Sequence, residues 1–173
     1  MKVRLLLLAF LSLVAAVAPV QAKPQRIVSL NLCTDQMLLQ LVPGERIAAV
    51  TYLASDPRQS VEAVAAAKIR KTRGTAEDVV ALKPDLILAG TFSTRETVSL
   101  LRRLGYTVLD FAPPASMADI RRDTLAMGRA VGEPERAASL VRRFDARVAE
   151  LTAKGRKRPL FTDYGPNGYV SGD

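Results

Sequence analysis

Few side chains in this sequence can do chemistry, and the missing ones narrow the choice first. The 173 residues include no His and a single Cys, Cys33. Without imidazole there is no Ser-His-Asp triad, no Cys-His pair and no His-based metal site. Hydrolysis by a familiar nucleophilic route and capture of a bare zinc or manganese ion are therefore disfavoured. No strand pattern runs into a Gly-x-Ser-x-Gly turn. Gly165-Pro166-Asn167-Gly168 is followed by neither Lys-Ser/Thr nor a helix signal, so it is not a phosphate-binding loop. What remains suits holding a ligand rather than transforming it. The rings of Tyr52 and Phe92 can stack on a flat ligand face. The guanidinium groups of Arg73 and Arg95 can pair with anionic oxygens. Cys33 precedes a helix start, where an exposed thiol would be acidified; we expect it buried, as a small hydrophobe.

Those residues gain meaning from the elements that carry them. Residues 26–32 read as a buried strand, and Thr34 as the cap of a helix with Met37, Leu38 and Leu41 inward. Pro43-Gly44 breaks that helix, and a second strand follows over 46–51. Residues 52–73 form a long polar connection with a short helix over 61–67. Thr75-Ala76-Glu77-Asp78 is a capping box opening a short helix through Leu82, and Pro84 stops it. Residues 86–89 are the third strand. Thr94 caps a helix with Val98, Leu101 and Leu104 on one face and Gly105 just past its end. A fourth strand over 107–111 is closed by Pro113-Pro114. Ser116-x-x-Asp119 opens a helix with Ile120, Thr124, Met127 and Val131 at helical spacing. Strands alternating with helices predict an α/β fold, a Rossmann-like lobe with a parallel sheet. Ligands of such sheets sit beyond the carboxyl ends of the strands. That places residues 31–34, 52–56, 90–95 and 111–114 at the site.

Pro134 suits the first position of a further helix. Ala137, Leu140, Val141, Phe144, Val148 and Leu151 form its stripe, ended by Lys154-Gly155. About 21 residues rising ~1.5 Å each give a span of roughly 31 Å, either a lid on this lobe or a strut to a second. Residues 158–162 begin another strand pattern, and 164–173 are turn-rich. At the other end, Lys2 and Arg4 precede an apolar stretch over 5–18, and Val20-Gln21-Ala22 supplies a small-x-small cleavage pattern. This predicts a cleavable signal peptide rather than a membrane span, which needs about 20 apolar residues. The mature chain is expected to start at Lys23, in the periplasm and without stable membrane insertion. Losing Lys2 and Arg4 lowers the formal net charge from +8 to +6. The basic pairs Arg102-Arg103, Arg121-Arg122 and Arg142-Arg143 are scattered over polar helix faces with no interleaved aromatic residue. We expect a solvated surface and no nucleic-acid partner.

Several segments together carry a family resemblance. They are Arg26-Ile27-Val28-Ser29-Leu30 with Thr34-Asp35 four residues on, and Ala81-Leu82-Lys83-Pro84-Asp85-Leu86-Ile87. Leu104-Gly105 before the fourth strand, the long helix, and Gly165-x-Asn167 leading to Ser171-Gly172 complete the set. In this order and spacing, covering essentially all of 23–173, the chain resembles the class III substrate-binding proteins, the periplasmic siderophore and cobalamin binding family of ABC importers. The resemblance implies two α/β lobes bridged by one long helix, with ligand in the cleft between them. The expected organisation is a signal peptide over 1–22, an N-terminal ligand-binding lobe over 23–132, a bridging helix over 133–155, and the start of a truncated C-terminal lobe over 156–173.

It further implies a cargo, an iron-siderophore-type chelate or a corrinoid, and a partner, the transmembrane permease of an ABC importer. No cofactor and no enzymatic activity are expected. Tyr169 joins Tyr52, Arg73, Phe92 and Arg95 as a ligand-facing candidate, because the family places such a residue near there. Glu77 matches a surface glutamate that binds arginines of the permease. A carboxylate in a helix's first turn is also stabilised by about 0.3–1 kcal/mol through the helix dipole, and both roles can hold at once. The sequence departs from the corrinoid binders in having no Trp, with Thr72-Arg73 and Gly90-Thr91 where a macrocycle favours aromatic walls. That shifts weight toward a chelate with polar or anionic groups. The alternatives are a secreted α/β enzyme, hydrolase or transferase, and a lobe that docks on a membrane complex without cargo.

Overall fold

The computed structural model describes residues 22–91, 93, 95–155, 163–164 and 170–171. Five strands form one sheet: β1 (Ile27–Ser29), β2 (Ile47–Thr51), β3 (Lys71–Thr72), β4 (Leu86–Gly90) and β5 (Val108–Phe111). Their order is β3-β2-β1-β4-β5, and every neighbouring pair is parallel. The helices are α1 (Leu32–Leu41), α2 (Ala63–Ala67), α3 (Ala76–Ala81), α4 (Arg95–Arg103), α5 (Met117–Ala130) and α6 (Pro134–Gly155). A short antiparallel pair, β6 (Asp163–Tyr164) and β7 (Val170–Ser171), follows α6. The expected α/β lobe with a parallel sheet is present.

Apart from Ser29, the central strands β1 and β4 are apolar throughout because helices cover both faces of the sheet. Every residue in both is buried. The pleat sends successive side chains to opposite faces. Ile27, Val50, Leu86 and Leu88 pack with Leu38 and Leu41 of α1, Met127 of α5 and Ala137 of α6. Val28, Ala49 and Ile87 pack on the other face with Val79 of α3 and Leu101 of α4. Each such Leu, Ile or Val stabilises the lobe by about 1.5–3 kcal/mol. Helix α6 joins the first layer through a close crossing with α5. A Cβ on Gly128 would lie 2.2 Å from the Cβ of Ala137, so only glycine allows that approach. At 22 residues α6 is about 33 Å long. Its apolar stripe is covered only in part: Ala137 is fully buried, whereas Leu151 is 50% exposed.

Both expected helix caps form, although the Asp78 and Asp119 carboxylates accept the N–H groups of Arg73 and Ala115 and do not close a reciprocal box. Thr75 accepts the backbone N–H of Asp78, and Ser116 that of Asp119. Gly105 follows α4 at φ +87°. Other expectations need correction. Strand β1 ends at Ser29 rather than 32, and the cap of α1 is Asn31 instead of Thr34. The Asn31 side chain accepts the N–H of Cys33 at 2.9 Å, a role Asn fills better than Thr. Thr34 lies in the first turn, buried, with its hydroxyl 2.7 Å from that of Ser29. The earlier helix start turns Cys33 outward, so it is exposed rather than buried. Strand β3 was not expected, because Lys71-Thr72 has no apolar run; it forms on the register Val50–Lys71 and Thr51–Thr72. The cap at Thr94, the strand pattern over 158–162 and the leader up to Gln21 lie outside the described residues.

Residues 23–26 are fastened to the far end of the sheet. Arg46, nearly buried, donates to the carbonyls of Pro24 (2.8 Å) and Val131 (2.5 Å) and pairs with Glu133 (2.6 Å). Lys23 reaches the same Glu133 carboxylate at 3.1 Å. Burial opposes charge on Glu133, but bonds from Lys23 and Arg46 outweigh it and hold the carboxyl below its ordinary range. Asp85 accepts the N–H groups of Gln25 (2.6 Å) and Arg26 (3.0 Å), completing the attachment.

Candidate functional site

In this sheet the strand order reverses at β1 and β4: α1 leaves β1 on one face and α4 leaves β4 on the other. A crevice opens at the carboxyl ends of such strands because their connections diverge. It holds a cavity of about 230 Å³. Three of the four connections expected at the site meet there, through Asn31–Thr34, Gly90-Thr91 and residues 111–114. The wall is mainly apolar, with Met37 from α1, Ile120 from α5, Phe111, Pro113 and Pro114. Asn31, Thr34, Thr91 and Asp123 supply its polar groups, and Cys33 also lines it. The expected contacts Tyr52, Arg73 and Arg95 are not in this lining. Two of its apolar residues, Met37 and Ile120, come from helices, where their 3.6-residue periodicity had suggested only core packing.

The fourth connection lies elsewhere. Tyr52 opens a 3-10 turn after β2 and is 64% exposed, outside the lining of this cavity. Arg73, exposed, follows edge strand β3, where its backbone N–H faces the Asp78 carboxylate at 3.4 Å. Arg95 begins α4 on the other side of the switch point and lines a neighbouring groove of about 330 Å³ with Ser93, Ser99, Arg102, Arg103 and Asp110. Strands sit about 4.8 Å apart, so Arg73 and Arg95 belong to sheet positions separated by roughly 14 Å. In that groove Arg102 is already paired with Asp110 at 2.6 Å. Phe92 and Tyr169 lie outside the described residues. Glu77 is exposed in the first turn of α3, next to Asp78, whose N–H the cap Thr75 accepts.

Next to the cavity-lining Thr34 is a buried carboxylate that the sequence offered only as part of the family match. Asp35, fully buried, receives the Thr51 hydroxyl at 2.5 Å and the Thr51 N–H at 3.2 Å on one oxygen. Its other oxygen has no hydrogen-bond partner among the described residues. Burial pushes the carboxyl up to about 6, against the opposing pull of the Ser29 and Thr51 hydroxyls, the Thr51 N–H and the Lys71 charge. Asp35 thereby ties the first turn of α1, which opens onto the crevice, to the end of the neighbouring strand β2.

With this geometry established, comparison with known proteins gives a consistent family. Residues 27–172 match the family model for periplasmic binding proteins, and the chain belongs to that family, in its class III substrate-binding branch. It is 32% identical over 136 residues to a cobalamin-binding protein of Halobacterium salinarum, a match covering 75% of this chain and 35% of that one. It is 25% identical over 140 residues to an uncharacterized ABC transporter substrate-binding lipoprotein of Bacillus subtilis, covering 79% and 44%. The chain thus spans less than half the length of these curated relatives. Among solved structures, a possible iron-binding periplasmic solute-binding protein of Staphylococcus epidermidis shares the fold with a TM-score of 0.70 at 20% identity, covering 82% and 55% of the two chains. The periplasmic vitamin B12 binding protein of Vibrio cholerae does so with a TM-score of 0.62 at 22% identity, covering 76% and 51%.

Proposed function

We infer that this chain forms the first lobe of a periplasmic receptor that captures a metal chelate, of iron-siderophore type or a corrinoid, and delivers it to an ABC-importer permease. The observation that carries the reading is the cavity at the switch point of β1 and β4, lined from three connections in a chain of the periplasmic binding protein family. Its apolar wall suits the body of a chelate or macrocycle, which moves weight back toward a corrinoid; the relative in Halobacterium salinarum is named for cobalamin binding. Tyr52, Arg73 and Arg95, none of which lines the cavity, are proposed as contacts for parts of a ligand that extend beyond it, and Phe92 and Tyr169 join them on sequence grounds.

In this reading the leader over 1–22 sends the protein to the periplasm, residues 23–132 form the lobe, α6 bridges to a second lobe that begins at 156, and Glu77 docks on permease arginines. The protein binds without turning over its ligand. A titration of the whole protein with cyanocobalamin and with a ferric trihydroxamate, followed by tyrosine fluorescence, tests it. Saturable binding of one of them with the ligand recovered unchanged is the expected result. Product formation, or tight binding of a bare divalent ion instead, would overturn it.

A further inference from the structure

At the crevice floor the main-chain pairing of β1 and β4 stops with the bond from Leu30 N–H to the Leu88 carbonyl, 2.9 Å long. Beyond that point the two chains leave on opposite faces, and side chains hold them together. The Ser93 hydroxyl accepts the N–H of Gly90 at 3.1 Å and the amide of Asn31 at 3.4 Å, and donates to the Leu30 carbonyl at 3.3 Å. A hydroxyl has one proton and two lone pairs, so its whole capacity is used between the two loops. Asn31 is committed on both ends as well, because its carbonyl oxygen caps α1 through the N–H of Cys33. Room for this arrangement comes from Gly90. A Cβ there would stand 2.7 Å from the Asn31 amide nitrogen and 2.9 Å from its carboxamide carbon.

We propose that Asn31, Gly90 and Ser93 form a clasp that fixes the spacing of the two cleft loops before ligand enters. They are positioning residues. The clasp joins the wall carried by α1, with Cys33 and Met37, to the wall carried by Thr91. Its consequence for binding rests on the reading of the crevice as the ligand site. Loops set in advance need not be ordered by the ligand, so more of the contact free energy appears as affinity. Among the described residues no main-chain group takes the Leu30 carbonyl or the Gly90 N–H in place of Ser93.

The test uses the whole protein in four forms: wild type, Ser93→Ala, Ser93→Thr and Gly90→Ala. Amide hydrogen exchange is measured on the free protein, and affinity with cyanocobalamin and a ferric trihydroxamate. Loss of one hydrogen bond corresponds to roughly a threefold to tenfold change. Ser93→Ala is therefore expected to speed exchange at Gly90 and Thr91 by about that factor, with strand β2 unchanged, and to weaken the bound probe by a similar factor. Ser93→Thr keeps the hydroxyl and is expected to restore both. Gly90→Ala is expected to act like Ser93→Ala although the hydroxyl remains. Unchanged exchange at Gly90 and Thr91 in Ser93→Ala overturns the clasp, as does faster exchange spread evenly over the sheet. Faster local exchange with affinity intact overturns its role in binding. If wild type binds neither probe, the receptor reading fails and the exchange arm alone decides the clasp.

Discussion

Asp35 makes the stability of this lobe depend on pH in the direction opposite to most carboxylates. Its folded value of about 6 lies above the ordinary 3.8, because burial penalises the charged form. Between those two values the folded state holds more protons than the unfolded one, so stability falls as pH rises. The difference between those two values corresponds to roughly 3 kcal/mol, almost all of it lost by pH 7 and little of it lost at pH 4. Asp56, Asp119, Glu133 and Glu150 shift downward and act with the reverse sign, their stabilisation fading as the medium turns acid. The comparison that isolates Asp35 is therefore wild type against Asp35→Asn, where those contributions cancel. The amide keeps a carbonyl for the two Thr51 donors and removes the charge. Urea unfolding of both proteins at pH 4, 5, 6 and 7 should show Asp35→Asn gaining on wild type by about 2 kcal/mol across the series. A constant fixed difference reflects only the altered hydrogen bonding of the amide. A gap that stays flat with pH, or that shrinks, would show that the carboxyl is not held above its ordinary range.

Three further outcomes are expected. Gly128→Ala drives a methyl into Ala137 and should destabilise the lobe by about 1–3 kcal/mol in urea unfolding, with Ala137→Gly recovering part of the loss; full stability in the single variant would mean that α5 and α6 do not cross this closely. Lys83 adopts φ +48° before Pro84, so Lys83→Gly should raise stability by about 1 kcal/mol, and a lowered thermal midpoint would contradict that. Glu77→Gln should leave fold and chelate affinity intact while weakening permease association at least about tenfold and slowing uptake; unchanged uptake would leave Glu77 as a helix-start carboxylate alone.

Much of the architecture was legible because it is written in short-range chemistry. The apolar runs of β1 and β4 announce strands covered on both faces, and Thr75, Ser116 and Pro134 mark helix starts by local hydrogen bonding and fixed φ. Strand β3 was not legible, since two polar residues become a strand only by lying beside Val50 and Thr51. The site divided in the same way. Strand ends locate the connections, so Asn31, Gly90 and Phe111 could be anticipated as a region. The contributions of Met37 and Ile120 depend on how α5 settles against α1, and no local pattern states that. Asn31 and Thr34 compete for one cap within four residues, and the choice between them decided which way Cys33 faces. The buried state of Asp35 escaped for a related reason: a carboxylate one turn into a helix ordinarily points to water.

The attachment of residues 23–26 to Val131 and Glu133 gives the lobe a property of its order of assembly. Lys23 and Glu133 are 110 positions apart, yet their charges touch. Residues 23–26 and Arg46 are held by Val131 and Glu133, so no prefix of the chain that stops short of Glu133 can hold Lys23, Pro24 and Arg46 in their final places. Closing so long a loop costs entropy before any of these bonds can form, and contacts of such range slow folding. The lobe should therefore mature late and as a unit once the turn at Gly132 is available.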